Sequence, residues 1–175
     1  MSTRSLTVMT DNGEEVAVLY RQMDGYPTGH GQELVDFLKQ FPNPLVGDGL
    51  GSYYLPRKKC WWCKSETKDE RIIANGAGCL FAQLVAHFKT TAGGFYLLPA
   101  GTRGRGTEYT YYVDVQGDIE IGDGSEDIYL IVAQSEQESE TFPNGMTMEG
   151  SPERIIWEGT LDEYDTQSEG LEGEG

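Results

Sequence analysis

VAVLYRQMDGYPTGHGQELVDFLKQF, residues 16–41, changes its hydrophobic period midway, and that change decides the fold class. Its first part, VAVLYRQ (16–22), is apolar and β-branched, the composition of a strand. Its last part places Leu34, Phe37, Leu38 and Phe41 on the i, i+3, i+4, i+7 stripe of an amphipathic helix. Pro42 and Pro44 stop that helix. Between the two lies YRQMDGYPTGHG (20–31), which holds Arg21, Asp24, His30, Pro27, two tyrosines and three glycines. Glycine opens backbone conformations closed to other residues, and Pro27 biases Tyr26 toward an extended shape. The string is therefore a shaped connection from strand to helix.

Upstream, RSLTVMT (4–10) alternates, and DNGE (11–14) supplies a tight turn, so residues 4–22 predict a β-hairpin. Downstream, NGAGCLFAQLVAHFK (75–89) carries Leu80, Phe81, Leu84, Val85 and Phe88 on one face of a second helix. Asn75 fits its N-cap, and Gly93-Gly94 close the segment. Short strands follow at FYLLP (95–99), EYTYYVDV (108–115), DIEIG (118–122) and DIYLIVAQ (127–134), with a final one at ERIIWEGTL (153–161). The turns between them suggest an antiparallel meander. The expected class is α+β: an antiparallel sheet, made of the N-terminal hairpin plus the C-terminal meander, with two helices packed on one face. One domain spans 1–161, with a long loop or insertion at 43–70 and a mobile acidic loop at 135–152. Residues 162–175 read as an acidic, disordered tail.

The 175 residues carry a net charge of −16, unevenly placed. Residues 1–105 hold 10 acids and 12 bases, whereas 106–175 hold 19 acids and the single base Arg154. Such a field repels nucleic acid and membrane surfaces and attracts basic protein surfaces and cations. Direct nucleic-acid binding is therefore disfavoured. No apolar run approaches the ~18 residues of a membrane span. The opening MSTRSLTVMT lacks the layout of a secretory signal, and three cysteines read as reduced thiols, so a cytosolic site is expected.

The residues of 20–31 leave three readings open. In the first, Asp24 caps the turn, Tyr26 packs on the sheet and His30 is a solvated cap residue. In the second, Arg21, Asp24, Tyr26 and His30 surround a nucleotide or other small anion, helped by N–H groups at the helix start. In the third, Asp24 and His30 act as an acid/base pair. The glycine spacing matches no phosphate-loop or dinucleotide fingerprint, and no second catalytic cluster accompanies the string. Neither GxSxG nor HExxH occurs, and two histidines leave few arrangements for His-dependent catalysis.

Cys60-Trp-Trp-Cys63 puts two thiols at metal-ligand spacing. With Cys79 and one of His30 or His87 it makes a Cys₃His zinc site arithmetically possible, although no second CxxC completes it. No other cofactor is expected. The flanking Arg57, Lys58, Lys59 and Lys64 favour an intramolecular role, a basic loop facing the acidic half. GTRGRGTE (101–108) brings Arg103 and Arg105, which either meet an anion or are simply solvated.

Taken together, the opening STR, LYRQMDGYPTGHG, NGAGCLFAQLVAHFK and GGFYLLPAGTRGRGTEYTYYV resemble a family of small uncharacterised bacteriophage and prophage proteins. The resemblance covers about residues 2–115 and implies a mobile-element origin and a cytosolic site of action. It carries over no catalytic residue, and neither CWWC nor the acidic last third belongs to its pattern. The expected function is a non-enzymatic binding protein, in one version an acidic inhibitor of a basic, nucleic-acid-binding host or defence protein. A nucleotide or small-anion binder built on residues 20–31, and a zinc-stabilised interaction module, are the alternatives.

Overall fold

The computed structural model describes residues 3–41, 45–46, 74, 76–103, 105–117, 125–135, 153–164 and 171. The expected hairpin is present as β1 (Ser5–Asp11) and β2 (Glu14–Arg21), paired antiparallel from Ser5↔Arg21 to Asp11↔Glu14. Asn12 and Gly13 take positive φ at its tip, which Asn and Gly tolerate best. A single π-helical turn (Pro27–Gly31) then leads without a break into α1 (Gln32–Leu38). A two-residue strand β3 (Leu45–Val46) precedes α2 (Gly76–Phe88). The strands β4 (Phe95–Leu98), β5 (Tyr109–Gly117), β6 (Ser125–Ser135) and β7 (Glu153–Thr160) follow, and α3 (Leu161–Tyr164) is the last helix.

These strands make one sheet in the order β3-β6-β5-β1-β2-β4, with β7 also pairing β6. The class is α+β as expected, but the sheet is mixed. β1 and β5 run parallel, in register from Ser5↔Tyr109 to Asp11↔Val115. Parallel neighbours need a long crossover, and here everything from β2 through β4 supplies it. The pattern of apolar residues fixes which face a side chain takes, not which way a strand runs, so the direction of this central pair was not legible.

Both long helices pack on one face. Met9, Leu19, Tyr111, Val113, Val115, Ile128, Leu130, Val132 and Trp157 meet Leu34, Val35, Phe37, Leu38, Leu80, Phe81, Leu84 and Phe88 in the main core. The opposite face carries a smaller cluster of Leu6, Val8 and Val18, edged by Tyr20, Leu98 and Tyr112. The segment from β4 to β5 crosses this side. Its Arg103 donates to Glu15 of β2 (Nη2–Oε2 2.8 Å) and lies over the Tyr112 ring.

Two boundaries differ from expectation. α1 ends at Leu38, although turns carry Phe41 into the core. The tail expected from residue 162 is corrected at its first three positions, because Leu161–Tyr164 is helical and Tyr164 is fully buried. Thr160 and Glu163 hold that turn: the Glu163 carboxylate accepts from the Thr160 N–H and hydroxyl, both at 2.9 Å. The strand expected at 118–122 and the proposed N-cap Asn75 lie outside the described residues, as do the expected loops at 43–70 and 135–152 apart from Leu45–Val46 and Ser135, which belong to strands. No helix among the described residues is long and apolar enough to cross a membrane.

Candidate functional site

The string 20–31 lies against the core where β2 ends and β1 begins. Because strand residues alternate between faces, Arg21 joins Thr7 and Leu19 on the helix-bearing side, while Tyr20 and its neighbour Gln22 turn to the other. Arg21 is held on every side. Its Nε donates to the Met23 carbonyl at 2.5 Å, and its Nη1 donates to His30 Nδ1 at 3.0 Å and to the Glu33 carboxylate. Its guanidinium also sits 5.1 Å from the Phe95 ring centre.

His30 is fully buried, against the expectation of a solvated cap. Arginine only donates, so Nδ1 must accept and the ring proton sits on Nε2, which donates to the Thr7 hydroxyl at 2.8 Å. Phe88, Phe95 and Tyr111 surround the imidazole with ring centres 5.1 to 5.8 Å away. Burial, with the Arg21 charge adding to it, pushes the His30 pKa down to about 3, so the ring is neutral at physiological pH.

The other two members of the string's candidate set are elsewhere. Asp24 is exposed, takes φ +55° and contributes its backbone: its carbonyl accepts from the His30 N–H at 3.0 Å. Its carboxylate forms no acid/base pair with the imidazole, whose nitrogens are engaged by Arg21 and Thr7. Tyr26 is half-buried beside Gly29. The turn is instead anchored from below by two buried tyrosines that sequence reasoning missed. Tyr111 donates to the Gly25 carbonyl at 2.8 Å and Tyr164 to the Pro27 carbonyl at 2.9 Å. Gly31 lets both approach, since a Cβ there would collide with the Tyr164 hydroxyl and touch the Tyr111 ring at 3.0 Å. The structure thus brings Arg21 and His30 together in the interior and leaves Asp24 and Tyr26 apart from them.

Of the zinc candidates, Cys60 and Cys63 lie outside the described residues. Cys79 is half-buried on α2 and accepts from Gln83 Nε2 at 3.4 Å. Among the described residues, no group of three His, Cys, Asp or Glu side chains is placed to hold a metal ion.

Two accessible surfaces stand out among the described residues. Around β5–β7 and α3, Glu108, Glu153, Glu158, Asp162 and Glu163 are exposed, beside the exposed apolar Tyr129 and Ile155. Glu153 accepts from Thr110 at 2.7 Å and from the Tyr112 hydroxyl; burial and that carboxylate push the Tyr112 pKa up to about 12. The second surface is a cavity of about 400 Å³ on the side of the sheet away from the helices, lined by Tyr20, Gln22, Tyr96, Leu98 and Arg105. Set against protein-family models, curated proteins and solved structures, the chain finds a match in none of the three.

Proposed function

We propose that this chain is a non-enzymatic binding protein of phage or mobile-element origin that acts in the host cytosol. Its partner is a basic, nucleic-acid-binding host or defence protein, which it engages through the acidic half. The observation that carries this reading is the segregation of charge: 19 acids against one base after residue 105. Dense carboxylates imitate the charge of a phosphate backbone and steer a basic surface into contact. The exposed acids on β7 and α3 flank exposed Ile155 and Tyr129, so charge that guides encounter adjoins apolar area that can be buried afterwards. The interior position of Arg21 and His30 removes the main support for an anion site made from those two side chains.

Competition with DNA tests the proposal. A basic DNA-binding protein is loaded on a fluorescent duplex, and this chain is added at rising concentration. Displacement that weakens steeply as salt is raised is the expected result. Displacement that persists after Glu108, Glu153, Glu158 and Asp162 are changed to Gln or Asn, or no displacement at low salt, would overturn it.

A further inference from the structure

Tyr20 and Gln22 belong to the string 20–31, yet they face away from its buried Arg21. With Tyr96 and Leu98 of β4 and Arg105 of the crossing segment, they line the cavity of about 400 Å³. That size falls within the roughly 300–1,000 Å³ of small-ligand sites. The Tyr20 and Tyr96 ring centres are 6.0 Å apart with planes at 47°, so a flat ring stacked on one meets the other obliquely. Leu98 adds an apolar wall.

Arg105 sets the charge. It is exposed and makes no hydrogen bond or ion pair with any described residue, whereas nearby Arg103 is engaged by Glu15. No carboxylate stands among the described residues lining the cavity. Lys89, whose ammonium lies 5.1 Å from the Tyr96 ring centre, adds positive charge at the margin. All of this sits in the part of the chain where bases outnumber acids, with Arg105 at its boundary with the acidic part.

We propose that this cavity binds a small planar molecule bearing an anionic group, with its ring against Tyr20 and Tyr96 and its anion on the Arg105 guanidinium. A nucleoside monophosphate and a free aromatic carboxylate share that chemistry. The site does not depend on the acidic surface.

The test is a titration of the full chain followed by NMR. The probes are a nucleoside monophosphate, indole-3-carboxylate, the uncharged nucleoside and inorganic phosphate. The expected result is saturable binding of at least one planar anion with Kd at or below about 1 mM, moving the Tyr20, Tyr96 and Leu98 signals. Arg105→Ala, an exposed change that leaves the rest of the spectrum in place, weakens that binding by at least about tenfold. Tyr96→Ala weakens it too, and the uncharged nucleoside binds no better to wild type than to the Arg105 variant. Which planar anion saturates identifies the source. The proposal is overturned if neither does, if Arg105→Ala binds as wild type, or if inorganic phosphate alone binds equally well.

Discussion

His30 is fully buried, its imidazole held between the Arg21 guanidinium and the Thr7 hydroxyl. The string offered an Arg, an Asp and a His close together, a combination that suggests a site. The fold turns Arg21 and His30 inward, where they and Thr7 form a satisfied polar core. The alternation in VAVLYRQ put Arg21 on the same face as Leu19, but both faces of that strand are apolar, so the buried side was not evident. Two outcomes follow from the geometry. Thr7→Val removes the acceptor for the His30 Nε2–H and leaves a buried donor unmatched, so denaturant unfolding should show a loss of about 1–3 kcal/mol. The second is a pH effect. The folded pKa of His30, about 3, lies below the ordinary value of 6.5, so between them the unfolded chain binds a proton that the folded one excludes. That stability is full above the ordinary value and falls as pH is lowered toward about 3, by up to about 1.4 kcal/mol per pH unit. Unfolding free energies of wild type and His30→Gln across the mildly acidic range should therefore differ in slope, wild type losing stability faster; parallel slopes would count against a buried neutral imidazole.

At the scale of elements, the hairpin, both long helices and most strands were legible because each has a clear period and turn residues at its ends. The parallel β1–β5 pair was not, since it joins segments about a hundred residues apart and no local pattern encodes it. α3 was missed for another reason. Its sequence, TLDEY, lies in an acidic stretch whose composition resembles a tail, yet Thr160 and Glu163 have the S/T-x-x-E spacing of a capping box. That signal was available and marks the turn that delivers Tyr164 to the Pro27 carbonyl and to Trp157, whose ring centre is 5.0 Å away. Tyr164→Ala should consequently lower stability by about 3–5 kcal/mol, as measured by chemical denaturation, because it empties a core position and strands a carbonyl. A change below about 0.5 kcal/mol, typical of a surface site, would mean that α3 is an ornament to the fold.

At the scale of the molecule, a neutral scaffold carries an acidic face. Charge was the most legible property in the sequence, and the fold places part of it: Glu108 before β5, Glu153 and Glu158 of β7, and Asp162 and Glu163 of α3 are exposed, with α3 packed beside α1 and the 20–31 turn, where Asp162 lies 3.6 Å from Lys39. What composition could not say is that Arg21 and His30 of the string lie in the interior, whereas Tyr20 and Gln22 line an accessible cavity on the other face of the sheet. In the proposed function the acting surface is separate from the scaffold, and one measurement addresses that separation. Binding to a basic nucleic-acid-binding protein is followed against salt for wild type, for His30→Gln, and for the variant with Glu108, Glu153, Glu158 and Asp162 neutralised. The prediction is a steep salt slope for wild type and for folded His30→Gln alike, and a slope shallower by at least about two charges for the neutralised variant. Equal slopes for wild type and the neutralised variant, or loss of binding only in His30→Gln, would contradict it.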